Sequence, residues 1–262
     1  MRIAPRSKAA PGPAEVTPSA IPDCKLCDSA PPGVLFLVSM PIGDPEDISL
    51  RALRILGSVD CIIAERPSAA RPFLARYGIS TPVKPYSRGR NNSGQLTALV
   101  ARLLSGHSAA LVCEAGTPLI ADAGIVLVRA ALDADITVRP VPGASAVLAA
   151  LVIAGATIAR FAFDGFAPRS RAERESYFAS LCGEARSVVL YESRAFLNNT
   201  LLRLSTALGP HRQVLVARNI TRPTETLFYG HLADAQLAHR EPCGGEYTIV
   251  VYGSEILSPQ GA

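Results

Sequence analysis

The chain has 262 residues, of which 48% are hydrophobic and 18% charged, and it carries a net charge of +4. That balance excludes a disordered chain and a strongly basic nucleic-acid wrapper, and it leaves ample core for one large or two modest globular domains. Nearly all the cations are arginines, Lys8, Lys25 and Lys84 being the only lysines.

Residues 1–32, rich in Pro, Ala and Ser, read as a disordered tail without the apolar core of a secretory signal. Cys24 and Cys27 form a lone CxxC there, with no second pair or His nearby to complete a metal site, so no metal is expected. Cys61 and Cys113 lie in apolar, strand-like runs and read as free thiols of a reducing compartment, which points to the cytoplasm.

An apolar run at 34–39 enters the turn Met40-Pro41-Ile42-Gly43-Asp44, and Leu50, Leu53 and Leu56 then mark a short helix with Ser49 near its start. A strand at 59–64 ends at Glu65, and helices follow at 71–77 and 95–104. The strand 109–113 enters Glu114-Ala115-Gly116-Thr117-Pro118, a helix covers 123–132, and the strand 136–141 enters Pro142-Gly143-Ala144-Ser145. Strands separated by crossover helices imply a mainly parallel sheet, whose strand ends are the usual place for a ligand.

The second half holds strands at 161–166, 187–191, 213–217, 225–229 and 246–252 that can pair antiparallel, with helices at 171–181, 195–208 and 231–239. The expected fold class is α/β, with an N-terminal domain over 33–143, a C-terminal domain with a mixed sheet over 144–254, and a short tail over 255–262. The uncharged stretch 140–159 is broken by Pro140, Pro142, Gly143 and Gly155, which leaves a helix too short to cross a bilayer, and no membrane association is expected.

Read in order, residues 35–53, Ala64-Glu65, Ala115–Pro118, Asp122-Ala123-Gly124, Pro142–Val147, 161–169, Tyr191-Glu192-Ser193 and Ala217–Thr221 resemble the tetrapyrrole methylase superfamily. Within it they resemble the branch that methylates the cytidine ribose 2′-oxygen of small-subunit ribosomal RNA. The resemblance implies the two-domain class III methyltransferase fold, S-adenosylmethionine as cofactor in the interdomain cleft, and a homodimer. Pro41 and Gly43 would floor the site, Gly116, Thr117 and Pro118 would present backbone groups to the donor, and Ser145 would face it from a helix start. Tyr191 and Asn219 would close it from the second domain.

Structural readings stand beside these. Gly116 and Gly143 also suit plain strand-end turns, Tyr191 a half-buried aromatic, Glu65 a solvated strand-end carboxylate and Asp122 a helix cap.

A ribose hydroxyl needs its proton removed as the methyl bond forms, so at least one of Glu65, Glu114 and Glu192 is expected to act as a general base. Arg169, Arg171 and Arg174, together with Arg88 and Arg90, are candidate phosphate contacts for ribosomal RNA or the small ribosomal subunit, although Glu173 and Glu175 make Arg171 equally suited to a salt-laced helix face. The chain departs from the family where Glu65 is followed by Arg66-Pro67-Ser68 instead of Asp-Thr-Arg, and where Glu114 replaces Asp. The loop 86–93 also lacks the family's His and Glu. These departures fall on the acceptor side, which keeps two further readings open: a methyltransferase of the same fold with another acceptor, or a silent paralogue that binds donor or RNA.

Overall fold

A computed structural model describes residues 30–86, 93–155, 160–239 and 243–253. Cys24, Cys27, Arg88, Arg90, the expected C-terminal tail and all but residues 30–32 of the N-terminal one lie outside the described residues.

The first sheet is five-stranded, in the order β3-β2-β4-β1-β5, and is parallel throughout. Its strands are β1 (Val34–Val38), β2 (Cys61–Ala64), β3 (Val83–Pro85), β4 (Ala109–Val112) and β5 (Thr137–Val141). Four helices cross between them: α1 (Leu50–Ser58), α2 (Pro67–Arg76), α3 (Ser93–Leu104) and α4 (Ile125–Asp133). β1, β2 and β4 are buried nearly throughout, as central strands covered on both faces require. One face packs against α1 and α2 through Leu53, Leu56 and Leu74, the other against α3 and α4 through Leu99, Leu103 and Leu127.

Local chemistry explains where these helices begin. Ser49 caps α1 by accepting the Ala52 N–H at 3.1 Å. Pro67 starts α2 four residues before the sequence suggested, because a proline at the first helical position forfeits no helical hydrogen bond. Periodicity does not mark the short β3, since it has three residues and ends in Pro85.

The second sheet runs β6-β7-β10-β8-β9, with β6 (Phe161–Phe166), β7 (Ser187–Ser193), β8 (Gln213–Arg218), β9 (Thr226–His231) and β10 (Glu246–Val251). β6 pairs parallel with β7 and the other pairings are antiparallel, so the sheet is mixed. Helices α6 (Arg171–Ser180), α7 (Leu197–Leu208) and α8 (Leu232–Ala238) cover one face. Helix α5 (Ala146–Ala154) follows β5 and packs on the other face, burying Val147, Ala150 and Leu151 against Val189, Leu215 and Val250. No described helix is long and apolar enough to cross a membrane.

Candidate active site

The turns after β1, β4 and β5 meet, because the order β4-β1-β5 sets these strands side by side. Met40 and Gly116 exchange both backbone hydrogen bonds, at 2.8 and 3.0 Å. Ser39 N–H donates to the Val141 carbonyl at 3.1 Å. Thr117 Oγ1 lies 3.1 Å from Ser39 Oγ and donates to the Ala144 carbonyl at 3.2 Å. Gly116 has φ of +74°, a conformation that disfavours any side chain. A Cβ on Gly143 would stand 2.9 Å from that of Ser39, so this glycine allows the β1 and β5 ends to touch.

A cavity of about 590 Å³ opens beside these turns, between the two sheets. Gly116, Thr117, Ser145, Tyr191 and Asn219 line it, together with Glu65, Glu114 and Glu192. Ser145 faces the cavity while its hydroxyl caps α5, accepting the Leu148 N–H at 3.5 Å. Tyr191 is half-buried, edge-on to Phe163 with ring centres 4.9 Å apart, and burial pushes its phenol up.

Pro41 and Gly43 line a smaller cavity of about 200 Å³ that shares Glu65, Arg66 and Glu114 with the larger one. Gly43 has a further packing role, because a Cβ there would lie 2.5 Å from the Ile220 carbonyl and the Thr221 hydroxyl. It lets the β1 turn press against the turn after β8. Pro118 is buried and lines neither cavity.

Glu192 differs most from expectation. Its side chain is 0% exposed and sits in a cluster of charges. One oxygen accepts from Arg169 at 2.9 Å and from the Ser193 N–H at 2.8 Å, and the other from Thr200 at 2.5 Å. Arg174 lies 3.6 Å away and is itself buried, bonded to Thr200, to Asn199 at 2.8 Å and to the Pro168 carbonyl at 3.0 Å. Buried carboxylates persist where such partners replace water. Arg174 is thus spent inside the fold, which corrects its assignment as a phosphate contact. Arg169 remains half-exposed, stacked over Phe196 at 4.3 Å. Arg171 pairs with Glu175 one turn along α6, as on an ordinary solvated helix face.

Asp122 does not cap α4. The cap position is Gly124, and Asp122 accepts the N–H of its neighbour Ala123 at 2.9 Å. The two departures at Arg66 and Glu114 answer each other: the Arg66 guanidinium forms a double hydrogen bond to the Glu114 carboxylate across the ends of β2 and β4. Cys113, buried behind this pair, donates its thiol to the Ala115 and Gly116 carbonyls, and burial pushes its pKa up to about 12.

Other lining residues escaped the sequence reading, among them Ile120, Ala121, Phe166, Gly245 and the start of β10 from Glu246 to Thr248. Backbone strain marks several of them. Ala121 and Asn219 line the cavity with φ of 57° and 52°, and Leu119 and Thr221 beside them are also positive. Such conformations gather where a site constrains the chain. Asn219 is held by its own side chain, which accepts the Glu246 N–H at 3.1 Å and donates to Thr224 at 2.9 Å.

Comparison with known proteins agrees with this geometry. The family model for tetrapyrrole (corrin/porphyrin) methylases matches residues 34–236. A ribosomal RNA small subunit methyltransferase I from Xylella fastidiosa is 41% identical over 226 residues, covering 85% of this chain and 82% of the relative. One from Haemophilus influenzae is 34% identical over 237 residues, covering 87% and 83%. Among solved structures, uroporphyrin-III C-methyltransferase from Thermus thermophilus, in its complex with S-adenosylhomocysteine, superposes with a TM-score of 0.57 at 19% identity, covering 83% of this chain and 96% of that one. Diphthine synthase superposes at 0.60 with 15% identity, covering 84% and 90%. By sequence, fold and the meeting of its three strand-end turns, the chain belongs to the tetrapyrrole methylase family.

Proposed function

We propose that this chain is an S-adenosylmethionine-dependent methyltransferase that modifies the ribose 2′-oxygen of a cytidine in small-subunit ribosomal RNA. The observation that carries the reading is the joining of three turns beside one mixed cavity of about 590 Å³, within the size range of small-molecule sites. Relatives at 34–41% identity carry the name of a small-subunit ribosomal RNA methyltransferase.

The lining suits the donor. Ile42, Ile120 and Tyr191 offer apolar surface, while Asp122 supplies negative charge for a sulfonium or an ammonium group. Thr117, Ser145 and Asn219 would hold the donor's polar parts, with Gly116 keeping the backbone clear of a side chain. When bound, S-adenosylmethionine supplies a methyl group activated on a sulfonium. The protein's task is to hold the acceptor oxygen in line with that methyl and to exclude water, and positioning of this kind yields much of the rate.

Proton removal falls to Glu65 or Glu114, which both border the two cavities. Glu192 is better read as the anchor that fixes Arg169 at the mouth of the site, where Arg169 meets an RNA phosphate. Replacing Glu65 and Glu114 by Gln, singly and together, tests the base: turnover falls at least a hundredfold in one single variant or in the double, with donor affinity within threefold.

We read the molecule as a cytoplasmic homodimer of two-domain subunits divided near residue 143. The supporting observation is apolar surface left open on α4 and α5, where Ile125, Val126, Leu148 and Val152 are exposed. Light scattering then gives twice the chain mass, and Val152→Asp gives a monomer.

A further inference from the structure

The smaller cavity stands on its own walls. It lies between the β1 turn and α2, and Pro41, Ala69 and Phe73 give it flat apolar surfaces. At about 200 Å³ it is too small for the donor and large enough for a single heterocycle. It meets the larger cavity at Glu65, Arg66 and Glu114, so a group held in it stands next to whatever fills its neighbour.

The wall between the two cavities carries an ion pair. Arg66 and Glu114 lie side by side in a double hydrogen bond, both partly exposed. The pair is held from both ends, with Arg66 just before the first turn of α2 and Glu114 just past β4. A guanidinium keeps further N–H donors after such a pairing, and a carboxylate keeps further lone pairs. The result is a fixed edge that offers donors at one end and acceptors at the other.

We propose that the smaller cavity is the acceptor-base pocket and that Arg66 and Glu114 read cytosine in it, an inference that rests on the ribose-methyltransferase reading above. Cytosine presents two adjacent acceptors, O2 and N3, beside the N4 amino donor, which complements a guanidinium next to a carboxylate. Uracil presents a donor at N3 and an acceptor at O4, and it leaves both protein groups facing their like. A base must leave its stack to enter such a pocket, and Phe73 with Pro41 replaces part of that stacking. The ribose of the flipped nucleotide is then held at the border where Glu65 stands. In this arrangement the two departures from the family pattern form one recognition device.

The test uses the full chain loaded with S-adenosylhomocysteine, and saturation-transfer NMR with cytidine 5′-monophosphate or uridine 5′-monophosphate. Wild type gives transfer to the cytosine H5 and H6 protons, at least fivefold above that to uracil. Ala69→Phe, which fills the pocket from the surface of α2, weakens the cytosine signal at least tenfold while the S-adenosylhomocysteine signals stay constant. Arg66→Met, whose thermal midpoint shows whether it folds, brings the two nucleotides level. Equal cytosine and uracil signals in wild type overturn the readout by Arg66 and Glu114, and a cytosine signal that survives Ala69→Phe overturns the pocket. If wild type shows the cytosine preference but transfers no methyl to ribosomal subunits, the ribosomal acceptor falls and the pocket stands.

Discussion

Ser39 Oγ and Thr117 Oγ1 lie 3.1 Å apart although 78 positions separate them in the chain. Thr117 also donates to the Ala144 carbonyl, so one hydroxyl ties together the ends of three parallel strands. Thr117→Val keeps the shape and removes both bonds. Leaving such groups unpaired costs about 1–3 kcal/mol. The urea midpoint is expected to fall accordingly, and calorimetry to show S-adenosylmethionine binding at least fivefold weaker. An unchanged affinity would detach the junction from the donor site.

Glu192 makes a different prediction. Glu192→Ala leaves Arg174 buried without its counter-charge, and breaking a buried pair in this way costs about 3–5 kcal/mol. Replacing both together, Glu192→Leu with Arg174→Met, restores much of the lost stability, although Arg169 is freed and RNA affinity still drops. Denaturant unfolding of the single and double variants measures the coupling, and a double variant as unstable as the single one refutes it.

Much of the fold was legible because its elements are strongly patterned. β6 is legible to the residue, Ser49 marks the start of α1 as its cap, and α6 begins at Arg171, where the sequence pattern puts it. The site was legible as far as backbone turns specify it, through the glycines and prolines after β1, β4 and β5. Side-chain partnership was not. Nothing local to Glu192 announces that Arg174 and Thr200 will consume its oxygens, since those contacts span 18 and 8 positions and arise only when α6 and α7 pack on β7. Arg66 and Glu114, 48 positions apart, looked like two losses until the parallel pairing of β2 and β4 set them together.

Acid sensitivity should arise in part at Asp60. Its carboxylate accepts the Ser108 N–H at 2.7 Å and the Ser108 hydroxyl at 3.0 Å, and the backbone bond, opposed by desolvation, holds its pKa below the usual carboxylate value. A folded pKa below the unfolded one adds stability above the unfolded value and loses it as the pH falls through the folded value. Asp60→Asn is therefore expected to lower the thermal midpoint at pH 6 and to converge with wild type at pH 2–3. A deficit that persists undiminished at pH 2 would contradict the linkage.

Thiol reactivity separates the described cysteines into two classes. Cys61 and Cys113 are buried and burial raises both pKa values, whereas Cys182 and Cys243 are exposed. Brief alkylation of the native chain at pH 8, followed by peptide mass mapping, should mark Cys182 and Cys243 and leave the buried pair unmarked. Rapid labelling of Cys113 would mean that the turn after β4 opens readily.

Methyl transfer to a ribose oxygen of small-subunit RNA is measured directly with S-adenosylmethionine labelled in its methyl group. Small ribosomal subunits from cells lacking the modification are the acceptor, and the product is digested with alkali, which cannot cleave after a 2′-O-methylated ribose. Label is expected in a single alkali-resistant cytidine dinucleotide and is lost with the Glu65 and Glu114 double variant. Donor binding without incorporation, or label that follows the base and not the ribose, would contradict that activity.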